Sequence, residues 1–595
     1  MDFPNQCPSP SPPAVHRASL ATDSLPPCHG PAGAPEVRLA GGSSAMVHAL
    51  RAARERNLVD QVFGVIGGAV APLWDACVHT QTSAMHMMGE GAAMNAALGY
   101  GVATGRPALV AVTCGPGLSN TITGCVASQA CSVPVVVLSG EVEKRLQGRG
   151  ALQDGSARGA RLAEVVRPVA KAMWTVEEPG ELRDALCEAF RLAVCGRPGP
   201  VVLQVPFCVA LKAIASPCVR APPMRGAVRL DSLRIESLVA DLVHAERPLI
   251  IAGSGCRGDA AKGMLREVVE RMGIPVCTTP QGKGCFPETH ALALGCIGYG
   301  GHPRAESHVA RADMIVVLGS ALGETSTGRF TQGFDPAVRR IRVDVDASRF
   351  LRPGHCDETW ACTVEVFLDA LLAKRCPPAR MWISGVWSSV AVESGADPRL
   401  RTDQAMIAIH KRLPADAFHI LDCGDHTGFG THFLRLNDSE DAWVENGFGE
   451  LGSGVAATIG AKVACPKRTV VGHCGDQGFM CAGNELANCV RDCVAVLYVV
   501  YDDARMAAVE IGMRALELQS PKLRLHGVDL GEWAKSMGAV AHTVQTVAEI
   551  ERLPIEVFAP LRPTVIVVKI SQNCCFPRRQ RVEEMARVGT GDHSQ

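Results

Sequence analysis

Between residues 43 and 215 one pattern repeats along the chain. A short apolar run stops at glycine or a turn residue, and a longer stretch with polar positions interspersed follows it. The runs are VFGVIGG, ALVAVTCGPG, PVVVLSGEV and GPVVLQVP. Apolar runs without alternation predict strands buried on both faces, as in parallel sheets whose crossovers are helices. The same cadence returns in RPLIIAGSG, ADMIVVLGS and RRIRVDVD over residues 230–375. It returns again in AFHILDCGDH, RTVVGHCGD, CVAVLYVVYDD and PTVIVVKI over residues 395–575. A Pro-rich basic stretch at 212–229 and CPPAR at 376–380 separate the blocks. The fold class expected is α/β, with three doubly wound parallel-sheet domains.

Composition narrows the picture. With 59 Lys and Arg against 60 Asp and Glu, the chain has no basic footprint for nucleic acid or for a membrane surface. No run of about 18 apolar residues marks a membrane span. The 25 cysteines are scattered, without CxxC pairs or zinc-type spacing. They read as free thiols in a reducing cytoplasm. Residues 1–42 hold nine prolines by Pro35 and no apolar signal core, and are expected to be a disordered tail. Residues 576–595 read as a polar C-terminal tail.

Three motifs invite chemistry. In HMMGEGAAMNAALGYG, Glu90 is the only charged side chain between Ala84 and Thr104, with His86 taken as neutral. A carboxylate in such company is costly to bury, unless a helix start or a ligand receives it. Gly253-x-Gly255-x-x-Gly258 follows a strand, but the next strand, IPVCTTP, ends without the acid that would hold a ribose. A tight strand-to-helix turn is the expectation there. In the last block, Gly475-Asp476-Gln477-Gly478 ends one strand, and Asp502-Asp503 ends the next. Successive parallel strands bring such residues to one sheet edge, where backbone N–H groups face an anion and carboxylates suit a hard divalent cation.

The 27-residue step from Asp476 to Asp503 resembles the metal and diphosphate motif of thiamine-diphosphate (ThDP) enzymes, Gly-Asp-Gly followed some two dozen residues later by Asn-Asn. GEGAAMNAALGYGVATGRPALVAVTCGPGLSNTITG, SVPVVVLSGEV, ALQD, GRPGPVVLQVP and GKGCFPETHALALG resemble acetolactate synthases and related carboligases. The resemblance implies a pyrimidine-binding domain at 43–215, a central Rossmann-like domain at 230–375 and a diphosphate- and metal-binding domain at 395–575. It also implies roles. Glu90 would hydrogen-bond the cofactor's aminopyrimidine ring, and Gln153 would lie near the reacting groups. The Gly449 carbonyl would accept from the ring's amine, and Leu451 would prop the bent cofactor. Asp425, His426 and the Gly475, Asp476, Gln477 and Gly478 turn would lie along the diphosphate. Asp476, Asp503 and the Arg505 carbonyl would hold Mg2+. Each site would join two chains, in a homodimer or homotetramer.

The implied activity is decarboxylation of a 2-oxo acid and transfer of its acyl carbanion to a second carbonyl acceptor. A decarboxylase or lyase without an acceptor, and a non-catalytic paralogue, are the alternatives. Simple pyruvate decarboxylases carry paired histidines after SGEV; here EKRLQGRGALQDG follows. Three departures from acetolactate synthases carry expectations. Asp502-Asp503 in place of Asn-Asn adds negative charge and should sharpen metal dependence. Ala508 and Gly512 stand where those enzymes have Met and Trp, so Ala508, Val509, Glu510 and Gly512 should border a wider substrate pocket. ALGETSTGRF stands where flavin-holding relatives carry an Arg-Phe-Asp-Asp-Arg run, so FAD is not expected.

Overall fold

The computed structural model describes residues 43–214, 230–327, 337–351, 356–375, 397–519 and 527–574, with isolated positions between them. Both expected tails, Phe576 apart, lie outside the described residues, as does most of the two separating stretches. Three six-stranded sheets carry the fold, and every pairing of neighbouring strands within them is parallel.

The first sheet holds β1 (Gln61–Gly64), β2 (Ser83–His86), β3 (Ala108–Val112), β4 (Val135–Glu141), β5 (Ala172–Thr175) and β6 (Pro200–Pro206), in the order β2-β1-β3-β4-β6-β5. The second holds β7 (Pro248–Ala252), β8 (Val276–Thr278), β9 (Ala293–Cys296), β10 (Met314–Leu318), β11 (Arg339–Asp344) and β12 (Glu358–Ala361), in the order β12-β11-β10-β7-β8-β9. The third holds β13 (Phe418–Leu421), β14 (Asp441–Val444), β15 (Val470–Gly475), β16 (Leu497–Asp502), β17 (Val540–Val544) and β18 (Thr564–Lys569), in the order β14-β13-β15-β16-β18-β17. The outer sheets thus share one topology. The apolar runs read from the sequence are the central strands, and β3, β4, β7 and β10 are buried along their whole length.

The Gly253–x–Gly255 turn follows β7 and packs against the turn after β10. A Cβ on Gly253 would lie 2.5 Å from the Gly319 carbonyl, and one on Gly255 2.7 Å from Gly319 Cα. Close turn packing is therefore what these glycines serve. The segment 321–330 is described only as far as Thr327. Among the described residues no helix is long and apolar enough to cross a membrane.

The outer sheets meet through the helices Glu90–Thr104 and Ser453–Ala464, whose backbones touch. A Cβ on Gly99 would lie 1.9 Å from the Ala457 carbonyl, and one on Gly460 1.7 Å from the Ala96 carbonyl. Only glycine allows that approach, so the run AALGYG is spent on domain packing. The helix pair leaves Glu90 at its own N-terminal end, half-buried.

Candidate active site

Strands β13, β15 and β16 end at one edge of the third sheet, and the turns beyond them wall a cavity of about 310 Å3. Asp425 and His426 come from the turn after β13, residues 475–478 from the turn after β15, and Asp503, Arg505, Ala508 and Val509 from the segment after β16. Gly449 and Leu451 descend from the loop after β14. Ligand sites of open parallel sheets lie at this edge, where the strand order reverses.

Asp476 opens the helix Asp476–Ala482, with Gly475 as its N-cap. Its Oδ1 accepts from Gln477 N at 2.6 Å, while Oδ2 is buried without a hydrogen-bond partner among the described residues. Burial, then the neighbouring Asp503 charge, pushes Asp476 up to about 7. Burial likewise pushes Asp503 up to about 6, with Arg505 pulling the other way. Two buried carboxylates that repel each other, one with an oxygen lacking a partner, suit a divalent cation with oxygen ligands. The donor set fits Mg2+.

Both Asp502 and Asp503 have cationic partners. Lys569 on β18 pairs with Asp502, and Arg505 Nε meets Asp503 Oδ2 at 2.8 Å. Arg505 also reaches Glu510 Oε2 at 3.0 Å, and Arg514 meets Glu510 Oε1 at 2.7 Å. Glu510 is therefore turned onto arginines, and it and Gly512 are not among the residues lining the cavity, whereas Ala508 and Val509 are. The Gln477 amide lies 3.9 Å from Cys481 Sγ, along its own helix and away from the turn.

Leu451 is 37% exposed at the rim, between Gly449 and Gly452, both in the left-handed region at φ +79° and +82°. Two carboxylates hold this loop. Glu445 accepts from Gly449 N at 3.0 Å. Asp422, fully buried, accepts from Gly452 N at 3.1 Å and Gly454 N at 2.8 Å. Burial, against those N–H groups, pushes Asp422 up to about 7, and burial pushes Glu445 to about 7. Asp422 went unnoticed in the sequence, although its lone acid in the oily run AFHILDC was a signal of the same kind as Glu90. Thr402, Cys423, Tyr501, Met506, Ile570 and Cys574 also line the cavity without a local motif to announce them.

Glu90 and Gln153 form a second cluster, around residues 114–120 of the first domain. Glu90 Oε2 accepts from Asn120 Nδ2 at 3.0 Å. Gln153, in the left-handed region at φ +62°, lies against Gly115, and its Oε1 is 3.9 Å from Cys114 Sγ. Neither is among the residues lining the third-domain cavity of the same chain. Exposed apolar side chains accompany both clusters: Met88 (49%) and Leu152 (86%) in the first domain, Phe448 (51%) in the third.

Family models match along three stretches. They are the thiamine pyrophosphate enzyme N-terminal TPP binding domain at 42–158, the central domain at 235–371 and the C-terminal TPP binding domain at 422–568. The chain is 29% identical over 492 residues to a probable acetolactate synthase large subunit of Methanocaldococcus jannaschii, spanning 79% of this chain and 81% of that one. It is 30% identical over 468 residues to the acetolactate synthase large subunit of Parasynechococcus marenigrum, spanning 75% and 73%. Among solved structures, benzoylformate decarboxylase of Polynucleobacter necessarius superposes with a TM-score of 0.78 at 20% identity, covering 89% of this chain and 99% of that one. A ThDP-dependent 4-hydroxybenzoylformate decarboxylase of Rhodococcus jostii gives 0.77 at 20% identity, with the same coverage.

Proposed function

The chain belongs to the thiamine pyrophosphate enzyme family, and from that premise we propose that it is a ThDP- and Mg2+-dependent carboligase. It decarboxylates a 2-oxo acid and joins the acyl unit to a second carbonyl compound. One observation carries the reading: the buried pair Asp476 and Asp503, with Asp476 Oδ2 unpartnered, stands at a helix N-terminus beside Leu451 on one sheet edge.

Bound ThDP supplies the electron sink that stabilises the carbanion left when carbon dioxide departs. The protein supplies position and charge. Asp476, Asp503 and the Arg505 carbonyl would hold Mg2+, and the N–H groups at 475–478, with Asp425 and His426, would orient a diphosphate. Leu451 and Gly449, which line the cavity, would pack against the cofactor, and the Gly449 carbonyl would be the acceptor for its amine. Glu90 holds a proton at a pyrimidine ring nitrogen, and Gln153 faces the reacting carbonyl.

Glu90 and Gln153 act from a partner copy in this reading. Their absence from the lining of the same chain's cavity, and the exposed Met88, Leu152 and Phe448, support a homodimer as the minimum. Ala508, in the cavity wall where acetolactate synthases have Met, supports a donor or acceptor other than pyruvate with 2-oxobutyrate. The chain's likeness to acetolactate synthase large subunits favours carboligation.

Product analysis tests this. A panel of 2-oxo acids is supplied with ThDP and Mg2+, with and without carbonyl acceptors. Acyloins or 2-hydroxy-3-oxo acids are expected, and formation of free aldehyde alone would replace the reading with a decarboxylase.

A further inference from the structure

At the other end of the third sheet, three side chains that the cofactor site does not use converge. His410 ends the helix Thr402–His410, His419 is the second residue of β13, and Glu440 immediately precedes β14. One ligand atom from each lies within 4.8 Å of the others. His410 Nε2 is 2.7 Å and His419 Nε2 3.3 Å from Glu440 Oε1. The His419 and Glu440 side chains are 0% and 4% exposed, while His410, at 17%, opens the cluster to solvent.

Glu440 and His419 are held from behind. Glu440 Oε2 accepts from Asn437 N at 2.9 Å. His419 Nδ1 faces His473 Nε2 at 3.1 Å, and His473 Nδ1 faces the Tyr501 hydroxyl at 3.1 Å. Partners of this kind fix the ring orientation of metal-ligating histidines. Glu440 is buried, and its ion-pair partners are the His410 and His419 imidazoles. Buried charges of that kind are paired with a cation or coordinate a metal. Tetrahedral zinc, with bonds of roughly 2.0–2.2 Å, sets its ligand atoms roughly 3.3 Å apart. The His419–Glu440 separation of 3.3 Å equals that spacing, and the His410–Glu440 separation of 2.7 Å would open on metal binding.

We propose that His410, His419 and Glu440 form a transition-metal site of the zinc class, with a water on the solvent side as fourth ligand. The site is distinct in chemistry and place from the all-oxygen Mg2+ site at Asp476 and Asp503. Two imidazoles select Zn2+ or Co2+ over Mg2+. Metal binding removes the protons from both Nε2 atoms, so His419 donates from Nδ1 to His473. The metal thereby ties the helix Thr402–His410 to β13 and β14, and through His473 to Tyr501 in the wall of the cofactor cavity.

The test uses the full chain, stripped with chelator and held in excess Mg2+ so that oxygen sites are filled. Zn2+ is titrated with atomic emission as the count, and Co2+ with visible absorption as the signature. One equivalent of Zn2+ per chain is expected, with a tetrahedral Co2+ spectrum lacking the near-ultraviolet thiolate band. His410→Ala and Glu440→Gln should each weaken it by more than the roughly 10- to 100-fold that loss of an outer-shell partner brings, and Cys481→Ser should not weaken it. If Glu440→Gln fails to fold, the more exposed His410→Ala decides. Absence of Zn2+ binding above the Mg2+ background, undiminished binding in His410→Ala, or a thiolate band would each overturn the site.

Discussion

Adding one methyl group at Gly478 tests how the cofactor loop is held. A Cβ there would lie 2.2 Å from Asp422 Oδ2 and 3.4 Å from Asp422 Cγ, far inside contact distance. Asp422 cannot retreat without releasing the N–H groups of Gly452 and Gly454, which closely follow Leu451. Hydrogen bonds to charged acceptors contribute about 1.5–3 kcal/mol each, so two amount to about 3–6 kcal/mol. The lower end applies, because burial pushes Asp422 up to about 7 and part of the population is uncharged near neutral pH. At about 2–4 °C per kcal/mol for a domain of this size, Gly478→Ala should lower the melting temperature by roughly 6–12 °C. ThDP affinity, measured by calorimetry, should fall with it, because the Leu451 loop loses its anchor. Gly263→Ala is the control. A Cβ at Gly263 meets nothing within 4 Å in the helix Asp259–Met272, and alanine there should stabilise by about 0.5–1 kcal/mol. A Gly478→Ala protein with the wild-type melting temperature and ThDP affinity would refute the claim that Asp422 positions this loop.

Other tests reach different parts of the site. Asp503→Asn should weaken Mg2+ binding by about 1–3 kcal/mol, or roughly 5- to 150-fold in dissociation constant by calorimetry, and unchanged affinity would remove Asp503 from the metal site. The pH dependence follows from Asp422, whose carboxyl lies above the ordinary 3.8 when folded. The folded chain then binds that proton more tightly than the unfolded chain, so its contribution to stability is present below about pH 4 and lost as pH rises through about 7. Melting of the metal-free protein across that window should show a falling trend, of order 4 kcal/mol at most from this group, and Asp422→Asn should flatten it. Co-expressing Glu90→Gln with Asp476→Asn should recover activity that neither variant has alone, because a mixed dimer contains one intact site. Failure to recover activity would place Glu90 and the metal site on the same chain.

How much was legible in the sequence follows from what each residue depends on. Strands such as ALVAV and MIVVL announce themselves, because burial on both faces forbids polar positions. The turn at 475–478 and the acids at 502–503 could be paired because one helix and one strand step fix them at the same edge. Partners from distant segments left no local trace. Lys569 on β18 pairs with Asp502 from 67 residues away, whereas Arg505 pairs with Asp503 within one loop, in a direction that only the fold shows. Glu510 read as a candidate substrate contact until its two arginines were visible. The glycines of AALGYG carried no hint that Gly99 meets Ala457 across a domain boundary. Glu90 was found as an oddity in an oily run, but its separation from the same chain's cavity belongs to tertiary structure.

The central claim joins Glu90 to a ThDP and Mg2+ site built on Asp476, Asp503 and Leu451. Calorimetric titration of ThDP into wild type and Glu90→Gln, each with and without Mg2+ and followed by turnover, tests it most directly. Both proteins should bind ThDP in a Mg2+-dependent manner, and only the wild type should turn over a 2-oxo acid. ThDP binding that ignores Mg2+, or a Glu90→Gln protein with wild-type turnover, would contradict it.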